Sequence, residues 1–201
     1  MALKRKIDLQ GSVFEGISSV FAVKGGISTG TNGTATIAET DMLEFPVSDD
    51  SGFNFDTGQP SIEHFKVKGL NTDWVNTFTP GDGEITLEIP CNDTDIMSAC
   101  FGDEGISATI TLPTTVKVSG VSKLSGKAYA SAQKAVYFGL LILNDSEDKV
   151  LFIKKAKFMA QVIFDGSNKP LCVVLTGSIS SGADKDAFGI LEPSTTTNSG
   201  S

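Results

Sequence analysis

The chain has 201 residues, enough for one domain with a substantial core or for two small ones. Its 24 acidic and 16 basic residues give a net charge of −8, which argues against a protein that grips nucleic acid through its phosphates. Hydrophobic residues at 40% and charged residues at 20% are ordinary for a folded soluble protein.

Thirteen Phe stand against one Trp and two Tyr. Phe has no polar handle, so these rings are expected in cores and subunit contacts and not as hydrogen-bonding ligand platforms. The three cysteines, Cys91, Cys100 and Cys172, are odd in number and widely spaced, which predicts free thiols in a reducing compartment. The basic start Met1–Lys6 runs into Ile7-Asp8-Leu9-Gln10-Gly11, too polar for a signal-peptide core. The longest apolar run, Ala135 to Leu143, is too short to span a bilayer, so no membrane partner is expected and the chain is read as made in the cytoplasm. Without a secretion signal, the sequons at Asn32, Asn92 and Asn144 are read as chance.

In chain order, residues 11–24 alternate loosely and predict one or two strands. Gly25 to Thr34, with Gly25, Gly30 and Gly33, reads as a flexible small-residue loop with nothing to bury. Residues 43–69 predict two or three strands, with turns at Asp49-Asp50-Ser51-Gly52 and Gly58-Gln59-Pro60. Glu84 to Ile89 is the clearest strand: Ile85, Leu87 and Ile89 share one face, and Glu84, Thr86 and Glu88 the other. A short helix over about 93–101 follows, capped by Asn92 or Asp93 and closed by Gly102. Its Ile96, Met97, Cys100 and Phe101 are expected to pack on a sheet, because a helix of about two turns is marginal alone.

Residues 106–121 alternate through Ile110, Leu112, Val116 and Val118, divided by Pro113. Residues 128–135 read as a helical turn or a loop. Ala135 to Leu143 predicts a strand buried on both faces, hairpinned through Asn144–Asp148 to Val150–Ile153. A separate strand over 156–164 and a last one over 171–179 follow. The expectation is a mainly β, antiparallel β-sandwich or barrel with one short flanking α-helix and long loops. It forms a single domain over 1–191, with a flexible tail at 192–201.

Chemistry is sparse. His64 is the only histidine and Cys-x-x-Cys pairs are absent, so zinc and Ser/His or Cys/His catalysis lack their parts. The glycine-rich stretch lacks the Gly-Lys-Ser/Thr of a phosphate loop. Asp93-Thr94-Asp95 opens like a calcium loop, but Met97 stands where an oxygen ligand belongs. Asp49, Asp50 and Asp56 bracket a turn and read as solvated. No enzyme, cofactor or metal site is expected.

The succession of segments resembles the tail tube (major tail) proteins of long-tailed bacteriophages. The resemblance is carried by the unit Asp50–Gly58, the charged strand ending at Lys68-Gly69, the acidic-outward strand 84–89 running into the short helix, and the C-terminal strand series. It implies rings, usually hexameric, stacked into a hollow tube in the virion tail. DNA would pass through the tube without specific binding, and tape-measure, terminator and baseplate or tip proteins would be partners. It makes Glu84, Thr86 and Glu88 candidates for the lumen. Residues 25–60, among them Gly25, Gly30, Gly33, Asp49 and Asp50, and the N-terminal segment become candidate ring-to-ring connectors. Three other readings stay open: the tube of a contractile injection or secretion apparatus, a monomeric carbohydrate- or surface-binding β-sandwich around Trp74, and a hydrolase with a carboxylate pair.

Overall fold

The computed structural model describes residues 13–29, 33–47, 52–65, 68, 75–91, 93–102, 104–116, 118–131, 134–166, 170–180 and 186–193. Gly30, Asp49, Asp50, Trp74, Asn32, Asn92, residues 1–12 and residues 194–201 lie outside these.

In chain order the strands are β1 (Ser19–Lys24), β2 (Met42–Phe45), β3 (Phe53–Asp56), β4 (Ser61–Phe65), β5 (Val75–Thr79), β6 (Glu84–Ile89), β7 (Ile106–Thr111), β8 (Lys123–Ala128), β9 (Val136–Leu143), β10 (Val150–Ile163), β11 (Cys172–Ile179) and β12 (Phe188–Leu191). The helix α1 (Thr94–Phe101) follows β6. The protein is mainly β, in antiparallel, sandwich-like sheets with this one α-helix. The barrel alternative is not realised: no described strand pairs the far side of β2 or of β3, so the pairing does not close on itself.

The chain divides into two compact units. The first holds the described parts of 1–45, 138–155 and 181–201. Here β1 pairs β2 and β9, and the start of β10 pairs β12. Register places Val20 beside Ile142 and Ala22 beside Leu140, and all four are buried. Phe45 meets Phe138 edge to face, with ring centroids 5.9 Å apart. The apolar run in β9 is covered unequally. Phe138, Leu140 and Ile142 are buried on one face, whereas on the other Gly139 is buried and Tyr137 is 44% exposed. Gly139 is required there, because a Cβ would come within 2.7 Å of the Ile27 side chain. Ile27 itself is buried, so the glycine-rich stretch does bury a residue.

The second unit holds the described parts of 46–137 and 156–180. Its main ladder runs β10–β11–β6–β3. Ile85, Leu87 and Ile89 of β6 are fully buried, as the alternation predicts, beside Val173 and Leu175 of β11. Each such side chain stabilises the fold by about 1.5–3 kcal/mol. Phe158 of β10 lies over Gly177, where a Cβ would approach its ring to 2.6 Å.

The expected strands at 150–153 and 156–164 are one 14-residue strand, β10. Ile153 and Ala156 are both buried although a regular strand puts positions three apart on opposite faces. The burial alternation of β10 therefore changes phase between Ile153 and Ala156. The backbone stays paired there. Lys154 N–H donates to Ala187 O at 2.8 Å, and its carbonyl accepts from Ile27 N–H at 2.7 Å.

Candidate functional site

Helix α1 is set by local chemistry. The Asp93 carboxylate accepts from the N–H groups of Asp95 (2.9 Å) and Ile96 (3.4 Å), and Gly102 adopts the left-handed conformation at φ 62°. Of the predicted packing residues, Ile96 and Cys100 are buried, and the helix lies against β11. Burial, and then the neighbouring Cys91, push the Cys100 thiol up to about 12. Met97 and Phe101 are half-buried and line an open groove of about 370 Å³ with Tyr129, Ala160 and Val162. Phe101 stacks on Tyr129 at 5.5 Å, and the Tyr129 hydroxyl donates to Thr94 O at 3.3 Å.

The predicted polar face of β6 becomes part of a wider surface. Glu84 pairs with Asp56, Thr86 with Asn54 and Thr176, and Glu88 with Val174. Because residues opposite one another share a face, Asp56, Glu84 and Glu88 lie on the side away from Ile85, Leu87 and Ile89. Glu84 and Asp56 are exposed, and Thr86 and Glu88 are half-buried. Asp56 Oδ1 accepts from Gly58 N–H at 2.8 Å. The only lysine that the β10 register adds to this face is Lys157, opposite Ser178. Two carboxylates directly across a ladder repel, so this margin keeps negative charge at a cost to stability. A margin of this kind repels a polyanion.

The feature that sequence reasoning missed is the hairpin β7–β8. Strand β8 was not expected, since Ser125 and Gly126 interrupt its apolar alternation. Register makes the hairpin strictly two-faced. Ile106–Ala128, Ala108–Gly126 and Ile110–Leu124 form one side, and Ser107–Lys127, Thr109–Ser125 and Thr111–Lys123 the other. On the polar side the Thr109 and Ser125 hydroxyls lie 3.3 Å apart. The apolar side is patterned for burial, yet Ile106 is 74% and Ile110 60% exposed. Its middle is low: a Cβ at Gly126 would meet nothing within 4 Å, and Ala108 stands opposite.

A second hairpin, β4–β5, is exposed at residues 61–65 and 76–79. Every residue of β4 is exposed. Ile62 pairs with Phe78, which is 67% exposed. His64 follows on the same face, with Nδ1 2.9 Å from Asn76 Oδ1. A two-stranded hairpin open to water on both faces is marginal by itself.

Among the predicted connectors, Gly25 and Gly33 take positive φ (76° and 73°) with open space around each. Thr29, just after Gly25, is tied down. Thr29 Oγ1 donates to Asp186 Oδ2 at 2.6 Å, and Lys154 Nζ donates to Asp186 Oδ1 at 2.8 Å. These two donors hold the Asp186 carboxyl below its ordinary value. Asn144 is 3% exposed and donates through Nδ2 to Asp148 Oδ1, an orientation that suits a hairpin turn and not a glycan.

Among the described residues, no group of three or more His, Cys, Asp or Glu is placed to hold a metal ion. No described helix is long and apolar enough to cross a membrane. No protein-family model and no curated protein matches the chain.

Proposed function

We propose that this protein is a structural subunit that assembles with copies of itself into rings, stacked as a hollow tube of the bacteriophage-tail type. The observation that carries this reading is the β7–β8 hairpin, whose apolar side has the alternation of a buried face and stands open in the single chain. Exposed apolar patches on a soluble protein mark contact surfaces, and the open β4–β5 hairpin adds a second one. The acidic strip Asp56, Glu84 and Glu88 suits a lumen through which DNA moves without adhering. Rings of six and a place in the virion tail follow from the resemblance to tail tubes. Partners at the tube ends, of the tape-measure, terminator and baseplate or tip kinds, follow from it too.

Light scattering across a concentration series tests the reading. The expected result is a mass that rises in steps to multiples of the 21.1 kDa chain. A constant 21.1 kDa at every concentration and salt contradicts it.

A further inference from the structure

We infer that the apolar side of the β7–β8 hairpin is covered by the β4–β5 hairpin of a second copy of this chain, with Phe78 seated on the Ala108–Gly126 pair. This inference rests on the self-assembly reading and names the two surfaces that meet.

Three observations carry it. The first is shape. The apolar side of β7–β8 has two ridges, Ile106–Ala128 and Ile110–Leu124, separated by the low pair Ala108–Gly126. A Cβ on Gly126 would meet nothing within 4 Å among the described residues, so none of them fills the notch. On β4–β5 the Ile62–Phe78 pair projects from one face, and Phe78 is the more exposed of the two at 67%. An aromatic ring between two apolar ridges is a favoured cross-sheet contact.

The second is charge. Lys123 and Lys127 stand on the polar side of β7–β8, and Glu63 on the side of β4–β5 away from Phe78. The two faces that meet therefore carry no lysine, arginine or carboxylate, as the core of a contact surface requires.

The third is area. Strands of 5 and 6 residues offer faces of roughly 20 Å by 10 Å. That is far less than the roughly 800 Å² per partner of a stable two-body interface. A single symmetric pairing is therefore too small to persist. A head-to-tail contact, in which each copy gives one hairpin and receives another, repeats around a closed assembly and gains from that repetition.

The test is a cysteine cross-link in the full chain carrying Cys91→Ser, which removes the partly exposed native thiol. Phe78→Cys and Ala108→Cys are introduced together, the protein is allowed to assemble, and it is oxidised and run without reductant. The inference predicts a ladder extending beyond the dimer for the double variant, and no ladder for either variant alone. In parallel, Phe78→Lys and Gly126→Leu, both at exposed positions, raise the concentration at which half the chains assemble by about tenfold or more. Far-ultraviolet circular dichroism checks that each still folds. Assembly of the double variant without any ladder overturns the pairing while leaving self-assembly intact. A covalent dimer from Ala108→Cys alone also overturns it, because the hairpin then meets its own copy. A parent chain that stays monomeric sinks the self-assembly reading and this inference with it.

Discussion

Replacing Glu84 by Lys converts a like-charge pair across β3 and β6 into an opposite one, since Asp56 lies directly opposite. Cross-strand charge pairs are worth roughly 0.2–1 kcal/mol in either direction, so removing the repulsion and adding an attraction stabilises by about 0.4–2 kcal/mol. For a chain of 201 residues, each kcal/mol moves the melting temperature by about 2–4 °C. Both groups are exposed, so the effect depends on screening. It is expected in full at low ionic strength and reduced in 1 M salt, where the Debye length falls to about 3 Å. Urea titrations of both proteins at the two salt concentrations measure it. If Glu84→Lys lowers stability at low salt, the carboxylates do not share the face that the register gives them. The substitution also bears on function. A tube built from Glu84→Lys, Glu88→Lys chains is expected to retain DNA in a filter-binding assay, while the parent tube lets it through.

Asp93→Ala removes the acceptor for two N–H groups of α1 and should cost about 1 kcal/mol in urea titrations, with the fold retained. Leu87→Ala, at a fully buried position, should cost about 2–5 kcal/mol by the same measurement. Asp186 is held low by Lys154 and Thr29, so its contribution is present above its ordinary value of 3.8 and is lost as pH falls through its lower folded value. Protection of the Ile27 amide from hydrogen exchange should therefore persist down to about pH 4 and collapse below it, and Asp186→Asn should lose that protection already at neutral pH. Cys100, with its thiol pushed up to about 12, should resist alkylation in the folded chain at pH 8, while Cys91 reacts first in peptide mapping.

The parts legible in the sequence are those whose cause is local. The face of β6 follows from the alternation of three apolar residues, and the bounds of α1 follow from one capping carboxylate and one glycine in the left-handed region. What was hidden depends on phase or distance. Lys154 and Lys155 read as a break between strands because the burial alternation changes phase there. The Thr29–Asp186 contact joins positions 157 apart in sequence, and nothing in the composition of Gly25–Thr29 announces it. The β7–β8 hairpin was half visible. The alternation of β7 was plain, but β8 carries its apolar side on Leu124, Gly126 and Ala128, too small to register as a strand face. The same smallness makes the notch that gives the hairpin its shape. Glu84, Thr86 and Glu88 were found as one strand's polar residues. The addition of Asp56 needed the pairing of β3, which lies 28 residues earlier by the Asp56–Glu84 register.

Self-assembly is tested most directly by negative-stain electron microscopy of the purified full chain at high concentration. The expected result is rings, or tubes of uniform width with a stained central channel, that disappear in the Phe78→Lys chain. A field of separate small particles for the parent chain at every concentration and salt, with the fold intact by circular dichroism, contradicts it.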